Sequence, residues 1–145
     1  MAAGVSDRFD IDATPEQVMR ALEDVERIPE WSSAHKSVEV LTRDDDGRPI
    51  RIRMTLSLLG FSDTQTIEHS WTESSTSWTL VESSVQRSQD GEYALEPTER
   101  GTRVHVTMSL EPKVPVPGFV LKRGQKHAVE AVRKGLTEFV LSNYA

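Results

Sequence analysis

The chain has 145 residues, no cysteine, 37% hydrophobic and 28% charged residues, and a net charge of -6 at pH 7. That length suits one domain, residues 1–145, with a sizeable core, and the composition leaves disorder expected only in the first few residues. The acidic balance argues against nucleic acid, which needs clustered Lys and Arg, and the missing cysteines exclude disulfide frameworks, thiolate zinc sites and cysteine nucleophiles.

Met1 to Val5 lacks the basic start and apolar run of a signal peptide, and no apolar segment reaches membrane-spanning length. A cytoplasmic chain without integral membrane association is therefore expected. Val5, Phe9 and Ile11 alternate as in a half-buried strand, and Asp7, which breaks the pattern, suggests a sheet edge. Thr14, Pro15 and Gln17 have the spacing of a capping box with proline in the first turn, so a helix starts there. Val18, Leu22 and Val25 continue it, and Ile28-Pro29 predicts a break before Trp31.

From His35 the period becomes two. Turns are predicted at Asp46-Gly47, Gly60, Ser74-Ser75, Asp90-Gly91 and Arg100-Gly101, leaving six further strands. Ile52, Met54 and Leu56 give one strand a dry face, and Phe61, Ile67, His69 and Trp71 do so in the next. Trp78 and Leu80, Tyr93 and Leu95, and Val104, Val106, Met108 and Leu110 mark the last three.

After Pro117 the period is helical to the C-terminus. Leu121, Gln125, Ala128, Val132, Leu136 and Phe139 form a stripe, and the basic residues from Lys113 to Lys134 fall mainly off it, as on a solvated face. The order is strand, two short helices, six strands, one long helix: an α+β fold with about seven antiparallel strands. A curved sheet closing on one helix is expected to leave an internal hollow.

Three segments carry a family likeness: Phe9 to Val18 (FDIDATPEQV), Val25 to Trp31 (VERIPEW), and Gly91 to Pro97 (GEYALEP) followed by Gly101 to Val104 (GTRV). In this order the sequence resembles the START-like, or SRPBCC, superfamily and its bacterial polyketide cyclase/dehydrase branch. The resemblance implies a helix-grip fold with a ligand cavity between the sheet and the C-terminal helix. One such scaffold hosts binding and catalysis alike.

The four histidines, His35, His69, His105 and His127, lie on different elements without metal-ligand spacing, so neither a metal nor another cofactor is predicted. Asp63 and Gln65 share the parity of Ile67 and His69. Either these polar groups face inward to orient a ligand, or they sit at an exposed strand end or are turned out by a bulge. Trp31, Trp71, Trp78 and Tyr93 offer flat apolar surfaces, Met54 and Met108 an adaptable wall, and Ile67 and Leu121 further lining. Gln125 is the polar candidate on the long helix.

The expected function is binding or carriage of a hydrophobic small molecule, such as a lipid, a quinone or a polyketide-like aromatic. The alternative is a cyclase/dehydratase using His69 with Asp63, or Tyr93 as donor. No residue-by-residue match to aromatase/cyclase catalytic groups is found, so no catalytic residue is assigned.

Overall fold

The computed structural model describes residues 3–58 and 60–145. In chain order the elements are β1 (Ala3–Ile11), α1 (Pro15–Glu23), a 3-10 turn (Val25–Arg27), α2 (Ile28–Trp31), β2 (His35–Arg43), β3 (Pro49–Leu58), β4 (Phe61–Trp71), β5 (Ser75–Ser83), β6 (Gln86–Pro97), β7 (Thr102–Pro112) and α3 (Gly118–Asn143). The strands form one curved antiparallel sheet in the order β1-β7-β6-β5-β4-β3-β2, so β1 is an edge strand as Asp7 suggests.

Thr14 starts α1 as its spacing predicts. Its Oγ1 accepts from the Gln17 backbone N–H at 3.2 Å, and Gln17 Oε1 accepts from the Thr14 N–H at 2.8 Å. The predicted break at Ile28-Pro29 is corrected in position: α1 ends at Glu23 with Asp24 as its C-cap, and Pro29 sits in the first turn of α2, which contains Trp31. Proline is tolerated there because a first-turn N–H has no partner within its helix.

The predicted turn at Asp90-Gly91 is also corrected. Both residues lie inside β6, and the chain reverses instead at Ser84 and Val85, where Ser83 Oγ accepts from the Val85 and Gln86 N–H groups at 3.1 and 2.9 Å. Gly91 opposes Trp78 across the β5–β6 pair. A Cβ at Gly91 would overlap Trp78 Cζ2, Cε2 and Cη2, so the missing side chain lets the indole lie flat against the sheet.

The interior divides into two apolar clusters. One joins Phe9 and Ile11 of β1, Val18 and Leu22 of α1, Val104 and Val106 of β7, and Val129, Leu136, Phe139 and Val140 of α3. The other joins Ile52, Met54 and Leu56 of β3 to Ile67, Trp78 and Val25. Tyr93 and Met108 pack against both. Helix α3 rests on β1 and β7, with α1 and α2 against it. Its buried line is Leu121, Gln125, Val129, Leu136, Phe139 and Val140, so Val129 takes the place expected for Ala128. Lys122, Arg123, Lys126, Arg133 and Lys134 are exposed, as a solvated face requires.

Gly91→Ala is expected to lower stability by about 1–3 kcal/mol, the usual cost of forcing extra atoms into a packed interior. Denaturant unfolding checks this, and an unchanged midpoint would contradict the packing described for Trp78.

Candidate ligand-binding site

Asp63, Gln65, Ile67 and His69 are all buried, which settles the alternatives for β4 in favour of the inward parity. The bulge opposite Thr66 and Ile67 belongs to the pairing with β5 and does not turn these side chains out. Phe61 shares their parity but lies 51% exposed at the strand end, a departure from the dry face predicted for it.

The Asp63 carboxylate is saturated by neighbours. Ser83 Oγ donates to Oδ1 and Oδ2 at 2.7 and 2.9 Å, Ser84 donates through its N–H at 3.1 Å and its hydroxyl at 2.8 Å, and Gln86 Nε2 donates at 2.7 Å. Burial alone would raise its pKa, but the hydrogen bonds from Ser83, Gln86 and Ser84 outweigh it and hold the carboxyl below its ordinary 3.8. Gln65 Oε1 accepts from Gln86 Nε2 at 2.7 Å and Gln89 Nε2 at 3.1 Å, and Gln89 Oε1 accepts from Trp78 Nε1 at 2.8 Å. A polar chain thus runs from the β5–β6 turn to the Trp78 indole and fixes its orientation.

Sequence reasoning did not single out Gln86 and Gln89. Gln89 shares the parity of Gly91 and Tyr93, a signal hidden by placing a turn at Asp90-Gly91. Gln86 faces inward because the register shifts between it and Ser88, which alternation alone does not show.

Across β4, β5 and β6 runs an aromatic row. His69 stacks on Trp71 with ring centroids 5.1 Å apart and lies 5.6 Å from Trp78, which is 5.4 Å from Tyr93. His69 Nδ1 and Thr76 Oγ1 share a 2.8 Å hydrogen bond, and burial lowers the His69 pKa to about 4. Burial also pushes the Tyr93 phenol well above its ordinary value, and its hydroxyl makes no hydrogen bond to a described residue.

Gln125 supplies the most telling feature. It is 2% exposed, and both its Nε2 and its Oε1 lack a hydrogen-bond partner among the described residues. Leu121, one turn earlier on α3, is also buried. Trp31 Nε1 is likewise buried and unpaired, but Trp31 packs at Gly135, roughly 15 Å along the helix axis from Gln125. Trp71 turns its indole N–H to the Pro49 carbonyl at 2.6 Å. The structure therefore gathers Met54, Ile67, His69, Trp78, Tyr93 and Met108 on one wall, with Asp63 and Gln65 bracing it, and leaves Trp31 apart.

Neither of two small hollows reaches the aromatic row, where the cavity between sheet and helix is expected. One, of about 80 Å³, is lined by Phe61, Ser84, Val85, Pro112, Lys113, Val114 and Val116. The other, of about 140 Å³, lies between β1 and α3 at Val5, Ser6, Asp7, Lys126, Val129, Glu130 and Arg133. Among the described residues no group of three or more His, Asp or Glu is placed to hold a metal ion, and no helix is long and apolar enough to cross a membrane.

Asp63→Asn is expected to cost about 3 kcal/mol near pH 7, because it removes the charge that a buried donor set was built around. A depressed folded pKa stabilises above the ordinary value of 3.8 and ceases to as pH falls through the lower folded value, so the deficit should shrink below pH 3.8. Denaturant unfolding of both proteins through the acid range checks this; a deficit independent of pH would contradict it.

The model of a family described as polyketide cyclase / dehydrase and lipid transport matches residues 11–137. No curated protein matches the chain. A START superfamily protein from Mycobacterium smegmatis is 24% identical with a TM-score of 0.88, over 96% of this chain and 97% of that one. The protein TTHA0849 from Thermus thermophilus is 28% identical with a TM-score of 0.82, over 99% and 100%. The Zhui aromatase/cyclase from Streptomyces sp. R1128 is 12% identical with a TM-score of 0.85, over 100% and 97%, a likeness of fold. With a family match over most of its length and a helix-grip architecture, the chain belongs to the polyketide cyclase/dehydrase and lipid transport family.

Proposed function

We propose that this chain binds and carries an uncharged, mostly apolar molecule with a flat ring system and at least one carbonyl or hydroxyl group, held between the inner sheet face and α3. The observation that carries the reading is the Gln125 amide. Burying an amide with neither end paired is costly, and a guest that accepts from Nε2 or donates to Oε1 offsets that cost. On the sheet side Tyr93 offers a hydroxyl that has no hydrogen-bond partner among the described residues.

The ligand is read as uncharged because Asp63 is the one buried carboxylate among the described residues, its hydrogen bonds are filled, and no buried Lys or Arg answers an anion. It is read as flat because the wall is a row of rings, with His69, Trp78 and Tyr93 packed at centroid distances of 5.6 and 5.4 Å. Neither hollow reaches this wall, so a guest enters by parting the seam between the two apolar clusters, which Tyr93 and the adaptable Met108 bridge. A quinone or a polyketide-like aromatic suits these walls better than a simple acyl chain.

Binding is favoured over cyclase/dehydratase chemistry on a second observation. A general acid or base works best with a pKa near the ambient pH, whereas His69 is lowered to about 4, Asp63 lies below 3.8 and Tyr93 is raised.

Gln125→Leu separates function from stability, because the two should move in opposite directions. The variant is expected to gain about 1–2 kcal/mol in stability by losing an unpaired polar group, and to bind 1,4-naphthoquinone roughly tenfold more weakly. Thermal unfolding and quenching of tryptophan fluorescence by the quinone give the two readouts. A destabilised variant with unchanged quinone affinity would assign the amide a structural role and defeat the proposal.

A further inference from the structure

The surface around the start of α3 carries a feature that ligand binding does not use. Phe119 is 69% exposed, Val114 49% and Val120 38%, and Phe61 with Val114 borders the hollow of about 80 Å³ just before the helix. From Lys113 to Val129 the chain holds Lys113, Lys122, Arg123 and Lys126 and no acidic residue, although the protein as a whole has a net charge of -6. Lys122, Arg123 and Lys126 are exposed and form no ion pair among the described residues.

The helical repeat fixes how these groups are arranged. Leu121 and Gln125 point inward, and at 100° per residue Phe119, Arg123 and Lys126 fall together on the opposite side. An exposed aromatic ring thus stands in line with two cations on the outer face of α3, and Glu130, which the same repeat puts on that line one turn after Lys126, bounds the patch. The geometry points to this face as a docking surface for an anionic phospholipid membrane, with Phe119 entering the headgroup boundary and Arg123 and Lys126 pairing with lipid phosphates.

The charge decides the occupant. An acidic protein is repelled as a whole by a negative surface, so its cation-only stretch must face that surface for contact to be favourable. Each basic side chain near an anionic leaflet raises partitioning roughly fivefold, and burying a phenylalanine ring adds a comparable or larger factor. Long basic side chains around an apolar centre also reach outward to headgroups while their stems cover hydrocarbon. A second copy of this chain would present the same cations to each other.

Flotation of the full chain with vesicles tests this without any bound ligand, so its failure leaves the ligand reading standing. Binding is expected to phosphatidylcholine vesicles containing phosphatidylglycerol, not to pure phosphatidylcholine, and is expected to weaken as salt rises. Phe119→Ser should reduce the partition coefficient roughly tenfold, and Arg123→Gln with Lys126→Gln roughly thirtyfold. Circular dichroism should remain unchanged, since all three side chains are exposed. Equal binding to both vesicle types, no binding to the anionic ones, or self-association that Phe119→Ser abolishes would each overturn the proposal.

Discussion

A helix about 10 Å across cannot cover a sheet of seven strands, which spans about 29 Å at a spacing of some 4.8 Å. Helix α3 therefore rests on β1 and β7, and the inner faces of β3, β4 and β5 must find cover elsewhere. Part of that cover comes from Val25 and Ile28 after α1, while Val38 and Val40 of β2 stand beside Met54 and Ile52 and widen the same face. The result is two apolar clusters in place of one core, joined by Tyr93 and Met108. Everything distinctive about the interior lies along this seam.

The polar groups of the interior divide in the same way. On the sheet side Asp63, Gln65, Gln86 and Gln89 satisfy one another and hand the last hydrogen bond to Trp78, so this network braces a wall and has little left for a guest. On the helix side Gln125 has no such arrangement. A fully paired network rigidifies, whereas a buried unpaired amide stores an unmet interaction, and the contrast between the two marks where a ligand is expected to contribute. The flat indole held over Gly91 belongs to the braced side, since the glycine gives it space and Gln89 holds its N–H.

Much of this was legible in the sequence, because the strongest signals were periodic. The alternation of Ile52, Met54 and Leu56 and the Thr14 to Gln17 capping box match the structure, as does the long C-terminal stripe at Leu121, Gln125, Leu136 and Phe139. Where punctuation was read by residue type alone it failed. Asp90-Gly91 resembles a hairpin turn, but the glycine answers a neighbouring ring, and the true reversal uses Ser83 and Ser84, which also cap Asp63. Pro29 resembles a helix end but lies in a helix start. The inward placement of Gln86 depends on a register shift, and the isolation of Trp31 from Gln125 depends on where α2 meets α3 at Gly135. Neither is encoded in local pattern.

The central claim is that the seam between the clusters accepts a small uncharged guest. Native mass spectrometry of the protein isolated under gentle conditions from cells that produce it tests this most directly. The account predicts a noncovalent adduct of a single small, neutral, ring-containing compound that is released on denaturation. Repeated spectra showing only the bare polypeptide mass would contradict it.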